Sequence, residues 1–147
     1  PKGVLVDKKG RALVKQEIGL LSEGILKLSS ITFKPSSSTL DQNAIQVIDE
    51  IGRLLVKYPS LRIQIEGHAD DTSNAESNYR ISRERARTAL EYLLKRFPSL
   101  GRERFRTIGF GTDKLPTDTV TDARKGNRRV DFVVINRGEL LRSISNN

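Results

Sequence analysis

Apolar residues in this chain recur with two different periods, and the order of these periods limits the fold. Leu61, Ile63 and Ile65 alternate with polar residues, as in a half-buried strand. Residues 45–55 and 86–97 instead repeat apolar side chains at steps of three and four, as in a helix with one apolar face. The periods predict the order β-α-β-α-β-β. A mixed four-stranded sheet with both helices on one face buries every apolar stripe, so the predicted class is a two-layer α+β sandwich.

Breaker and capping residues set the expected element bounds. We predict strands at residues 25–33, 61–66, 105–108 and 130–135, with Gly67 ending the second strand. The first helix starts at a cap, Thr39 or Asp41, and the second covers about residues 75–97. The predicted organisation is a linker or N-terminal extension at 1–24, one domain at 25–137 and a C-terminal tail at 138–147. Arg102, Arg104 and Arg106 alternate, which indicates an exposed strand face.

Composition narrows the chemistry before any motif is considered. The 147 residues contain no cysteine and one histidine, so thiolate chemistry is excluded and a metal site has at most one imidazole ligand. The longest apolar runs are far too short to span a bilayer. The net charge of +8 favours an anionic partner, such as nucleic acid, acidic lipid or an acidic wall polymer, and does not choose among them.

One stripe of the second helix carries polar residues. Asn78, Ser82 and Arg85 are spaced i, i+4 and i+7, so they share a helix face near the Asp70 loop. A helix N-terminus and a guanidinium attract a carboxylate, and Asp70 supplies the opposite charge. This arrangement suits a zwitterionic amino-acid head group. The alternative is that Asp70 and Arg85 merely pair with each other or with solvent, since a mostly exposed ion pair is worth only about 0–1 kcal/mol.

Other possible sites have simpler interpretations. His68 lacks a nucleophile with a defined partner, so a packed or hydrogen-bonded structural histidine is expected. No helix follows residues 109–111, which favours a turn over a phosphate loop. Asp113, Asp118 and Asp122 are not spaced like a calcium loop. We therefore predict no catalytic residue, no metal and no cofactor.

Five segments resemble a known family in order and spacing. They are IEGHADDT at 65–72, NYRISRERA at 78–86, GFG at 109–111, Pro116, and NRRVDF at 127–132. These resemble the patterns G-H-T-D-x-x-G, N-x-x-L-S-x-x-R-A and G-x-G…P…N-R-R-V-E-F. The family is the OmpA-like C-terminal domain of outer membrane protein A, shared by peptidoglycan-associated lipoproteins and periplasmic domains of flagellar stator proteins. The resemblance covers about residues 31–135.

The resemblance implies a non-enzymatic domain that binds the peptide stem of peptidoglycan, typically through diaminopimelate. It implies that Asp70 receives the ligand ammonium and Arg85 the carboxylate. The pocket would be completed by Asn78, Thr72, the backbone near Ser36, and Arg128. The implied location is the periplasm of a diderm bacterium, attached to the outer membrane through a missing N-terminal region. Ala69, Ser73 and Lys34 depart from the family pattern, which leaves the accepted diamino acid open.

Two other function classes remain as alternatives. A nucleic-acid-binding domain would use the charge of +8, although only three tyrosines, five phenylalanines and no tryptophan are present for base stacking. A wall-modifying hydrolase would need an acid and a base in one cleft. We expect no nucleic-acid partner.

Overall fold

Strands and helices follow one another in the predicted order. The structure is a computed structural model and describes residues 27–112 and 127–136. The strands are β1 (Lys27–Thr32), β2 (Ile63–His68), β3 (Phe105–Gly109) and β4 (Arg129–Val134), and the helices are α1 (Gln42–Lys57) and α2 (Ala75–Arg96). A short 3-10 turn, Arg102–Arg104, leads into β3. The predicted α+β class with a mixed four-stranded sheet is confirmed.

The last of the described strands lies in the interior of the sheet. The strand order is β1-β4-β2-β3, with β4 antiparallel to both of its neighbours and β2 parallel to β3. A parallel pair requires a crossover, which α2 provides by connecting β2 to β3. The start of α2 is thereby brought close to the C-terminal ends of β2 and β3.

The core forms between the sheet and the two helices. Ile63 and Ile65 of β2 and Phe132 of β4 are fully buried, and they pack with the apolar stripes of both helices. Asp41 is the N-cap of α1, since its carboxylate accepts a hydrogen bond of 2.8 Å from the Ala44 N–H. The α2 stripe expected from the sequence contributes Ala86, Ala89, Leu90 and Leu93 to the buried core, with Leu94 and Phe97 packed against it.

Two expectations about local structure are wrong. Gly67 does not end β2, because the strand continues through it to His68. A Cβ at Gly67 would lie 1.9 Å from the carbonyl oxygen of Ser82, so glycine is needed there for α2 to approach the strand. Arg104 does not face solvent from a strand. It lies in the 3-10 turn, where its guanidinium donates to the carbonyl oxygens of Leu55, Tyr58 and Leu61.

Several predictions fall outside the described residues. They concern the lead-in at 1–24, the first residues of the first predicted strand, the loop aspartates at 113–122, Pro116 and the tail at 138–147. The proposed domain bounds remain predictions. Among the described helices, none combines the length and apolar character needed to cross a bilayer.

Candidate functional site

The polar stripe of α2 is buried, and each of its residues holds a different loop. Asn78, Ser82 and Arg85 expose 2%, 0% and 0% of their surface, respectively. A mostly exposed ion pair involving Arg85, the alternative considered from sequence, is therefore wrong. Buried polar side chains must find hydrogen-bond partners, and here those partners are loop backbones and one carboxylate.

Asn78 binds the loop that follows β2. Its amide oxygen accepts from the N–H groups of Asp71 and Thr72 and from the Thr72 hydroxyl, at 3.1–3.3 Å. The Asn78 amide nitrogen donates to the Thr72 carbonyl at 3.0 Å. Asn78 and Thr72 thus fix the shape of the loop. The helix N-terminus is capped separately, because the Asn74 side chain accepts from the Ser77 N–H at 2.9 Å.

Ser82 connects α2 to the ends of the two parallel strands. Its hydroxyl donates to the Tyr79 carbonyl at 2.8 Å and accepts from the Gly111 N–H at 3.0 Å. The Gly111 carbonyl accepts from the Ala69 N–H at 2.9 Å, directly before the aspartates. Gly111 has φ of +57°, a conformation that glycine adopts without steric cost. The aspartate loop is therefore anchored at both of its ends.

Arg85 is the centre of the site, and every one of its N–H groups has an acceptor. Nε donates to the Ser37 carbonyl at 2.8 Å. Nη1 donates to the His68 carbonyl at 3.3 Å and to Asp71 Oδ1 at 2.8 Å. Nη2 donates to the Lys34 carbonyl at 3.2 Å and to Asp71 Oδ2 at 2.7 Å. A guanidinium has five N–H donors, so all are used.

The carboxylate that pairs with Arg85 belongs to Asp71, not to Asp70. The Asp71 side chain is fully covered although its backbone is partly exposed, and it also accepts a 2.6 Å hydrogen bond from the Ser36 N–H. Burial by itself raises the pKa of this carboxyl. The hydrogen bonds from Arg85 and Ser36 and the charges of Arg85 and Arg128 outweigh burial, so the Asp71 pKa lies below its ordinary value.

A short loop before α1 completes this arrangement. Ser36 has φ of +57°, in the left-handed region that residues other than glycine rarely adopt. Holding such a conformation costs on the order of 1–3 kcal/mol, so its neighbours must enforce it. We call the Arg85 guanidinium and the Ser36 N–H together the carboxylate receptor. The Phe33 ring lies beside it, with its centroid 5.2 Å from the guanidinium carbon.

Asp70 and Arg128 remain available beside the carboxylate receptor. Asp70 is partly buried and forms no hydrogen bond or ion pair with any residue in the described part of the chain. Arg128 has a buried Nε that lacks a hydrogen-bond partner within 27–112 and 127–136. Its charge acts on the Asp71 carboxyl. One unpaired carboxylate and one incompletely bonded guanidinium suit a ligand with both signs of charge.

The site residues proposed from the sequence therefore fall into three groups. Arg85 and the Ser36 backbone meet at one carboxylate, and Asn78 and Thr72 bind each other. Asp70 and Arg128 belong to neither pair, although the charge of Arg128 acts on the Asp71 carboxyl. Sequence reasoning missed Asp71, which the resemblance gives no role. The sequence feature that could have pointed to Asp71 is the pair of consecutive aspartates, since either of them could reach Arg85.

A second polar cluster lies on the sheet face opposite the helices. His68 is 1% exposed, stacks on Phe110 with ring centroids 5.5 Å apart, and places Nε2 3.5 Å from Asp131 Oδ2. This is the packed histidine expected from the sequence. Glu66, His68 and Asp131 could offer three metal ligands, with their ligand atoms within 4.8 Å of one another. Arg129 Nε lies 3.1 Å from both Asp131 oxygens, so a metal would compete with a fixed cation.

The fold and the buried arginine define a two-layer α+β domain with a recessed carboxylate receptor at one end of its sheet. The chain belongs to the OmpA family, whose sequence pattern matches residues 32–129. Over 84 residues it is 34% identical to a peptidoglycan-associated lipoprotein from Rhizobium meliloti, covering 57% of this chain and 47% of that protein. Over 129 residues it is 31% identical to motility protein B from Bacillus subtilis, covering 83% and 49%.

Solved structures share the same fold. The crystal structure of the C-terminal domain of Helicobacter pylori MotB superposes with a TM-score of 0.64 at 23% identity, covering 81% of this chain and 95% of that one. By contrast, the chain spans about half the length of the curated relatives it matches, at 47% and 49%. The comparison therefore concerns one domain of those relatives.

Proposed function

We propose that this domain binds the peptide stem of peptidoglycan without covalent chemistry and thereby anchors an envelope component to the cell wall. The observation that carries the proposal is the carboxylate receptor with the unpaired Asp70 in the adjoining loop. Membership of the OmpA family supports it, as does the name of the Rhizobium meliloti relative. Neither source supports the nucleic-acid alternative.

The proposed ligand is a stem peptide with a diaminopimelate-type residue. The free end of diaminopimelate carries one ammonium and one carboxylate on the same carbon. In the proposed complex, Asp70 accepts hydrogen bonds from the ammonium, while Arg85 and the Ser36 N–H bind the carboxylate. Arg128 supplies a second positive charge. Asn78 and Thr72 act by holding the loop that carries Asp70, since their polar atoms bind each other.

We also propose that the domain works in the periplasm, connected to the outer membrane through a region outside this sequence. A lipoprotein among the relatives favours this attachment. The other relative compared, motility protein B from Bacillus subtilis, is not named as a lipoprotein, so the attachment needs its own test. Fractionation of cells that express the full-length tagged protein tests the proposal. Recovery in the cytoplasmic fraction would contradict it.

Calorimetric titration with two matched ligands tests the binding function. A stem tripeptide ending in diaminopimelate should bind the domain. The same peptide ending in lysine, which lacks the second carboxylate, should bind more weakly by about 1–3 kcal/mol, because it loses the contacts with Arg85 and the Ser36 N–H while Asp71 stays paired with Arg85. Asp70→Asn should lose a similar amount for the diaminopimelate peptide, because it removes the partner of the ligand ammonium.

The control variant is Glu84→Gln, which also neutralises one carboxylate and lies exposed on α2. Its affinity should match that of the wild type. Absence of binding to the diaminopimelate peptide by the folded wild-type domain would overturn the proposed function. Equal affinity for the diaminopimelate and lysine peptides would show that the carboxylate receptor does not contribute to ligand binding.

A further inference from the structure

The carboxylate receptor is already occupied by a side chain of the same protein. We infer that Asp71 is a built-in competitor of the ligand, so that binding exchanges the Asp71 carboxylate for the ligand carboxylate at Arg85. This inference rests on the proposed function for the identity of the ligand. It assigns Asp71 a part in setting both the affinity and the specificity of the site.

The first argument is that Arg85 has no free donor. Each of its five N–H groups already has an acceptor, so a ligand carboxylate can bind Arg85 only by replacing one. Three of the acceptors are backbone carbonyls, one of them in β2. Asp71 is the only side chain among them. It can leave by rotation about its own χ angles, without moving a strand or a helix.

The second argument is that the vacated position suits another carboxylate. The two Nη atoms of Arg85 bind the two Asp71 oxygens at 2.8 and 2.7 Å, which is the fork geometry that guanidinium and carboxylate groups favour. The Ser36 N–H adds a third donor at 2.6 Å. A ligand carboxylate in this position would recover the same three contacts. The exchange therefore keeps the buried Arg85 charge paired, and an unpaired charge there would be costly.

The third argument concerns the neighbouring charges. Asp70 belongs to the same loop as Asp71 and has no partner among the described residues, so it stays available for an ammonium group. Arg128 acts on the Asp71 carboxyl and has a buried Nε without a partner in the same part of the chain. A zwitterion gains contacts with both residues. A simple carboxylate gains only the contact with Arg128.

The exchange has a consequence for affinity and for selectivity. When only a fraction of the molecules has an open receptor, the apparent dissociation constant is the intrinsic one divided by that fraction. Removing Asp71 should therefore strengthen binding. Because a ligand without a carboxylate cannot replace Asp71 at Arg85, the competitor also discriminates against such ligands.

Titration of Asp71→Ala with the diaminopimelate tripeptide tests the inference. The variant should bind the peptide about tenfold more tightly than the wild type, or better, because the internal competitor is gone. Asp71→Asn is the second variant, should Asp71→Ala not fold; it keeps the shape and one oxygen and should give a smaller gain. Glu84→Gln again serves as the control with unchanged affinity. Equal or weaker binding by the folded Asp71 variants would overturn the exchange and leave the proposed function standing.

A second measurement does not depend on the stem peptide. In Asp71→Ala the receptor is vacant, so sodium acetate should raise its thermal midpoint more than it raises that of the wild type. Sodium chloride at equal concentration corrects for ionic strength. If neither protein binds the peptide, the proposed function fails, while acetate-specific stabilisation of the variant still supports a carboxylate site at Arg85. Equal acetate responses in the two proteins would overturn that site.

Discussion

Two arginines of this domain, Arg85 and Arg104, donate hydrogen bonds to backbone carbonyl groups, although the sequence alone was also compatible with exposed positions for both. Arg85 holds the loops that carry Lys34, Ser37 and His68. Arg104 donates to carbonyls at the end of α1 and just beyond it, and burial lowers its pKa in spite of the neighbouring Glu103 charge. Removal of either guanidinium would take a donor from three partly or fully buried carbonyl oxygens, which is costly. The carbonyls of Lys34 and Tyr58 would each keep one backbone donor, the N–H groups of Ser37 and Leu61.

The acid dependence of stability follows from Asp71. Its folded-state pKa lies below the ordinary value of 3.8, so the ionised form stabilises the fold. That contribution is fully present above about pH 3.8 and is lost as the pH falls further, through the lowered pKa. At neutral pH, Asp71→Asn should destabilise the domain by on the order of 3 kcal/mol, because Arg85 then lacks its charged partner.

Urea unfolding of the wild type and Asp71→Asn over a range of pH measures this effect. Taking the difference in unfolding free energy between the two proteins cancels the contributions of the other carboxylates, which both proteins share. The difference in unfolding free energy should stay constant near neutral pH and shrink below about pH 3.8. A difference independent of pH in this range would show that Asp71 is not ionised in its bonded position.

At the scale of elements, α2 organises the site. Its stripe at i, i+4 and i+7 binds the aspartate loop, the turn at Gly111 and the loop at residues 34–37. This requires close contact between the helix and the end of β2. Since Gly67 allows that approach, Gly67→Ala should force the helix and the strand apart, at a cost of about 1–3 kcal/mol or more.

Gly101→Ala is the matched control for this contact. The three heavy atoms nearest to a Cβ there belong to the carboxylate of the exposed Glu103 side chain, which can move away. Its effect on stability should remain within about 0.5 kcal/mol. Denaturant midpoints of the two variants measure the difference. Equal stability of Gly67→Ala and Gly101→Ala would show that the close approach of α2 is not required.

At the scale of the whole molecule, the net charge of +8 attracts anionic partners in general. This attraction does not require a specific pocket. Exposed, well-separated charges are screened by salt more strongly than a buried contact. Between about 0.1 M and about 1 M ionic strength, the Debye length falls from about 10 Å to about 3 Å. Binding to intact sacculi should therefore weaken more over this range than binding to the short stem peptide. Sedimentation with sacculi and calorimetry with the peptide measure how each affinity depends on ionic strength. An equal dependence for both would show that the net charge does not act separately from the pocket.

The sequence alone determined the class of the fold. The alternation of periods fixed the order of strands and helices, because a half-buried strand and a half-buried helix expose residues with different repeats. The short oxygen-bearing side chains before the first apolar step predicted a cap at Thr39 or Asp41, and the structure shows that the cap is Asp41. The family resemblance likewise followed from five short segments, and the family match confirmed it.

Only the tertiary structure decided which aspartate meets Arg85. Asp70 and Asp71 are adjacent in the loop before α2, so the helix period does not decide which of them reaches the arginine. The choice depends on the loop conformation that Asn78 fixes and on the Ser36 N–H, which comes from a segment 35 residues away. Long-range contacts of this kind leave no periodic signal in the sequence. The pairing of Arg85 with Asp71 is thus a property of the folded chain.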